Sequence, residues 1–204
     1  MKSLRSSMLI QSFLLMVFVV PSCFAQESEF DKDLKKGTEE LQRQNYKGAE
    51  KHLRAAIKVQ PASWQAHVSL GDALFGQTKL DCILEYQKAQ ELAASASAKP
   101  VDLRHLNDQL GILYGMSGNF QRSIDTYHDA IAKDQDYPLY YYNLACSFAE
   151  KGDLDSALAN LREAFNRKDK WPDGRSMPDP HKDSSFKNYV GNQNFEKAMK
   201  EMGF

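Results

Sequence analysis

The sequence predicts an all-α protein, a solenoid of four stacked helical hairpins with a short helical cap at its C-terminal end. Three observations predict it. Apolar residues recur with helical period over 31–168, and no long stretch alternates with period two as a half-buried strand would. Small residues return in parallel columns at a spacing near 34. Proline- and glycine-bearing breaks fall between the periodic segments, where helices have to stop.

The chain opens with Lys2 and Arg5, then a short apolar run at 8–20, then Pro21-Ser22-Cys23-Phe24-Ala25. A bilayer span needs about 20 apolar residues. A basic start, a short apolar stretch and a small residue at the break read as a secretory signal peptide over 1–25, cut after Ala25. Retention as an anchor and lipidation at Cys23 are the alternatives. Four helical units follow at 30–62, 63–100, 101–135 and 138–168. The second carries an insertion at 90–99. Its alanines favour a longer second helix ending near Ser97; its serines leave a surface loop open. Three prolines and a glycine make 169–183 a loop. The remaining segment, 184–203, reads as two short helices carrying Phe186, Tyr189, Phe195, Met199 and Met202.

The register of the units follows from their columns. Gly37, Gly71, Gly111 and Ala145 stand 34, 40 and 34 residues apart. Ala49, Cys82, Ser123 and Ala157 are separated by 33, 41 and 34, as are Ala56, Ala89, Ala130 and Ala164. A bulky residue lies four places after each member of the second column: Leu53, Tyr86, Tyr127 and Leu161. Small residues permit close backbone approach and the bulky neighbour fills the space beside it. The second unit is therefore one residue short at its internal turn and longer after Ala89. Asn119 and Asp153 suit the start of a helix, because their side chains accept from its free N–H groups. A single hairpin buries little alone, so each unit relies on the next.

These columns resemble the tetratricopeptide repeat (TPR), whose period is 34 residues. Leu70-Gly71, Leu110-Gly111 and Leu144-Ala145 match its helix-packing pair, and Gly118-Asn119-Phe120 and Gly152-Asp153-Leu154 match its turn. The first unit departs with Lys36-Gly37 and Gln44-Asn45-Tyr46, and the second has Lys79 and Leu80 at its turn. The resemblance, which extends to small exported bacterial TPR proteins, implies a right-handed superhelix whose first helices line a concave groove. Leu34, Thr38, Leu41, Val68, Asp72, Phe75, Asp108, Ile112, Met116, Tyr142 and Asn143 are the candidate groove residues, with Cys146 and Ala149 in the same register. One branch of the family clamps acidic chaperone tails with lysines and asparagines. Here Leu34, Thr38 and His105 occupy those columns, so that clamp is missing.

Charge and motifs narrow the function further. The chain has 26 basic and 27 acidic side chains and a net charge of −1. Without 1–25 it has lost Lys2 and Arg5 and carries 24 against 27, a net of −3. Nucleic-acid binding normally needs a basic surface. No phosphate loop, dinucleotide fingerprint or His-Glu-x-x-His stands in the sequence, and the five histidines lack metal-ligand spacing. Cys82 and Cys146 read as small structural residues. No cofactor and no catalysis are expected. The expected function is a protein-interaction scaffold of the cell envelope or secretory space, taking a peptide or helix in the groove. Membrane contact is expected only through a retained leader or lipidated Cys23. A self-associating or lipid-anchored spacer is one alternative, a glycan or small-ligand binder another. The tail is expected to cap the last hairpin, with docking into the groove as the competing reading.

Overall fold

The computed structural model of the chain describes residues 27–204. The expected signal peptide and Cys23 lie outside the described residues. Eight helices form four antiparallel hairpins: α1 (Glu29–Gln42) with α2 (Tyr46–Val59), α3 (Trp64–Gly76) with α4 (Cys82–Ser95), α5 (Arg104–Met116) with α6 (Phe120–Lys133), and α7 (Pro138–Lys151) with α8 (Leu154–Asn166). A loop containing single 3-10 turns leads to the terminal helix α9 (Gln193–Met202). No strand occurs among the described residues.

The columns read in the sequence are the contact lines of the hairpins. Gly37, Gly71, Gly111 and Ala145 are all buried. A Cβ added at Gly37 would stand 2.6 Å from Leu53, at Gly71 2.6 Å from the Tyr86 ring, and at Gly111 closer still to the Tyr127 ring. Each bulky residue thus occupies the volume that its small partner vacates, and Leu53, Tyr86, Tyr127 and Leu161 are almost wholly inaccessible. Ala49, Cys82, Ser123 and Ala157 lie behind the same contact, also buried. Cys82 and Cys146 are both free thiols.

Helix starts and stops follow local chemistry. Ser28, Asn45, Ser63, Asn119, Asp153 and Asn192 each accept a backbone N–H in the first turn of the helix that they precede. The insertion makes α4 end at Ser95, one residue before Ala96 closes its last turn, and Ser97 turns the chain with φ of 51°. A 3-10 turn at Pro100–Leu103 then leads directly into α5. Arg104 at the start of α5 donates twice to Asp134 just after α6, at 2.7 and 3.1 Å, and reaches the next hairpin by lying over the Tyr137 ring at 4.4 Å. His67, nearly buried, sits 2.7 Å from Glu85 and 3.1 Å from the Pro61 carbonyl.

The tail differs from its expected form. The segment around Phe186 makes only a 3-10 turn, Ser184–Phe186, and irregular chain follows to Asn192. Phe186 and Phe195 stack at 5.8 Å between α7 and α9, and both are fully buried. Ala198, Met199 and Met202 of α9 join Leu158, Leu161 and Ala164 of α8 in one core. The end of a solenoid exposes an apolar face, and α9 covers it.

Candidate functional site

The first helices of the hairpins neighbour one another along one face. Helix α1 touches α3, α5 touches α7, and Asp72 of α3 stands 2.8 Å from His105 of α5. The eleven groove candidates divide into three groups there. Phe75, Ile112 and Met116 are exposed, at 40, 39 and 72%. Thr38 and Asp72 are half-buried: the Thr38 hydroxyl donates to the Lys35 carbonyl, and Asp72 Oδ1 accepts from the Tyr86 hydroxyl at 2.6 Å. Of the remaining six, Asp108 and Tyr142 are buried, and Leu34, Leu41, Val68 and Asn143 are partly buried.

Each of those six side chains has contacts within the chain. Leu34, Leu41 and Val68 pack against the core of the first two hairpins. Asp108 is buried; its carboxylate accepts from the Tyr137 hydroxyl at 3.1 Å and from the Asn143 amide at 3.2 Å. Asn143 therefore spends its amide within the protein. Burial pushes the Asp108 carboxyl up to about 7, against the pull of those two donors and of His105 and Arg104. Tyr142 lies under the tail, between Trp171 and Phe186, and its hydroxyl donates to Asp183 at 2.9 Å. Over Asp108 and Tyr142 a second element, absent from the local pattern, closes.

The tail also reaches the inner face directly. The Tyr189 hydroxyl donates to the Ala149 carbonyl of α7 at 3.0 Å, and Ser184 and Ser185 stand against α5 and α7 as the wall of a cavity of about 510 Å³. Ile112, Met116 and Phe120 form its apolar side, and Gly111, Gly115, Ser123 and Ser147 its floor. Sequence reasoning passed over this hollow, although one signal was present. In the column Leu41, Phe75, Gly115 and Ala149, the first two units carry large side chains and the last two carry small ones. The contribution of Ser184 and Ser185 had no local signal, because it depends on how the tail folds back.

Among the described residues, no group of three or more His, Cys, Asp or Glu is placed to hold a metal ion. No helix among them is long and apolar enough to cross a membrane.

The family model described as tetratricopeptide repeat matches residues 34–81 and 109–174, more than half of the chain. The chain belongs to the tetratricopeptide-repeat family. Solved TPR structures share its fold at low identity. A crystal structure of MamA is 21% identical over 69% of this chain and 79% of its own, with a TM-score of 0.61. YrrB, described as a TPR protein with an unusual peptide-binding site, is 14% identical over 87% of this chain and 91% of its own, at 0.59. A thermophilic TPR protein of Thermus thermophilus is 18% identical over 69% of this chain and 80% of its own, at 0.52. No curated protein matches the chain.

Proposed function

We propose that this TPR protein is a non-enzymatic scaffold that binds a peptide or helix of a partner protein on the face formed by α1, α3, α5 and α7. One observation carries the reading: Phe75, Ile112 and Met116 are exposed on the inner helices, while the other large apolar side chains there are buried or partly buried. Large apolar side chains left in water on the inner helices offer a docking surface for apolar anchors of an extended or helical segment. The peptide-binding site named for YrrB supports the same use of the fold. The signal-like leader at 1–25 supports export, with the periplasm or secretory space as the place of action and a lipid-anchored form through Cys23 as the variant of it.

Random peptides displayed on phage and selected on the full chain test the binding reading. The expected result is enrichment of peptides whose affinity falls at least tenfold when Phe75 and Met116 are both changed to Asp. Selection that enriches nothing, or peptides indifferent to that double change, overturns it. A stable dimer that survives the same change would instead favour self-association. Mass spectrometry of the cell-made protein checks export: a first residue of Gln26 is expected, and an unprocessed Met1 contradicts it.

A further inference from the structure

The cavity between α5, α7 and the tail has a chemistry of its own. At the position where the first two hairpins carry Leu41 and Phe75, the third has Gly115, and a Cβ placed there would meet only Ser123 Oγ, at 3.8 Å. The missing side chain is therefore a real hollow, about 510 Å³ with the space around it. The hydroxyl protons of its floor are already engaged within the chain. Ser123 Oγ and Ser147 Oγ lie 2.8 Å apart, and each also reaches a carbonyl, that of Gly111 at 2.7 Å and that of Asn143 at 3.0 Å; their two protons serve two of these three contacts. A guest that brought a hydrogen-bond acceptor to the floor would find those two protons engaged and would lose its own hydration. Ile112 and Met116 offer an apolar side to the same space. Glu150 at the rim is the one charged side chain in the lining. It is exposed, and no ion pair engages it among the described residues.

We propose that this hollow is the anchor pocket of the groove: it takes one bulky apolar side chain of the partner peptide, and Glu150 pairs with a lysine or arginine beside that anchor. The proposal rests on the binding reading above and deepens it, by assigning the partner an apolar-plus-basic motif. Its charge logic is simple. An unpaired carboxylate at the mouth of an apolar pocket favours a cation nearby and disfavours an acidic neighbour.

The test compares displayed peptide libraries selected on the full chain and on three variants. On the unaltered chain, the selected peptides are expected to share a Phe, Trp, Leu or Met within two residues of a Lys or Arg. Gly115→Leu, which restores the side chain of the first hairpin, is expected to weaken them at least tenfold. Glu150→Lys is expected to invert the flanking preference from basic to acidic. Met116→Glu removes the apolar side from a highly exposed position, so it keeps the test alive if Gly115→Leu does not fold by circular dichroism. Peptides that bind through Phe75 yet ignore Gly115→Leu, Met116→Glu and Glu150→Lys would overturn the pocket and leave the groove standing. Enrichment of nothing would overturn both.

Discussion

At the scale of single residues, the least ordinary group is Asp108. A carboxylate 7% exposed, facing only the neutral donors of Tyr137 and Asn143, loses more hydration than two such hydrogen bonds return. The positive groups near it, His105 and Arg104, are already engaged by Asp72 and Asp134. Its carboxyl is therefore pushed up to about 7 in the folded chain, above the usual carboxylate value. The sign follows. A raised folded value means that Asp108 favours folding at low pH and that this contribution disappears as pH climbs toward 7. Asp108→Asn carries no charge; its one carbonyl oxygen keeps the acceptor for Asn143, and its NH2 takes the place facing Tyr137, whose hydroxyl can turn to accept. It is expected to stabilise the protein by about 2–4 kcal/mol at pH 8 and to make much less difference at pH 4. Urea melts of the two proteins at both pH values check this, and a difference independent of pH would contradict it. The sequence placed Asp108 among the groove candidates. Its burial escaped notice because Tyr137 and Asn143 arrive from the next hairpin, a contact that no helical period encodes.

At the scale of elements, the four turns inside the hairpins are one device built with different residues. Each places a left-handed residue after its first helix: Gln44, Thr78, Gly118 and Gly152, with φ of 58, 57, 75 and 93°. The next residue returns its N–H to the helix, from Asn45 to Glu40 and from Lys79 to Leu74 in the first two hairpins, from Asn119 to Tyr114 and from Asp153 to Phe148 in the last two. Glycine adopts this conformation without strain, whereas a β-branched side chain crowds the backbone. Thr78→Gly is expected to raise stability by about 1 kcal/mol, and Gly118→Thr to lower it by a similar amount. Denaturant midpoints moving in opposite directions at unchanged slope would bear this out; two losses would refute it. The second hairpin is weak here for another reason. It is one residue short between the turn and Cys82, and Asp81 makes no capping bond where Asn45, Asn119 and Asp153 do. Leu80, close to where Tyr46, Phe120 and Leu154 start their helices, is left 87% exposed. The missing residue was legible by subtraction. Its consequence for Leu80 was not, since it depends on which way a shortened turn points.

At the scale of the whole molecule, the hairpins came through from sequence because their contacts are nearest-neighbour and repeat in register. The cap on the last hairpin was legible too, but the 3-10 turn at Phe186 and the return of the tail onto α7 were not, because they rest on contacts over long separations with no repeated pattern. That tail closes the apolar end and walls the anchor pocket, so what holds it bears on binding as well as stability. His181 holds two of its segments together. Its Nδ1 lies 2.9 Å from Asp179 and its Nε2 3.2 Å from Glu196 at the start of α9, with the ring edge-on to Phe195 at 5.4 Å. Asp179, and then Glu196, hold the His181 imidazole above its ordinary range. In return the two carboxyls are held below theirs, Asp179 chiefly by His181, Glu196 chiefly by the Gly191 N–H and then by His181. Lys182, 3.2 Å from Asp179, is the other cation at this junction. The imidazolium's contribution is complete below the ordinary histidine value and fades as pH rises through the raised one. The carboxylates' contribution is complete above their ordinary range and fades as pH falls through the lowered one. The cap is therefore expected to be tightest in mildly acidic solution. Trp171, buried against Tyr142, reports on it once Trp64 is changed to Phe, and Asp108→Asn in the same chain silences the other pH-dependent group. In that background the Trp171 emission transition is expected to begin at lower temperature at pH 8.5 than at pH 5.5. His181→Gln should remove that difference while the helical signal of the hairpins stays as it was. If the difference persists without His181, the tail is held by packing alone and proton binding has no part in keeping the pocket wall in place.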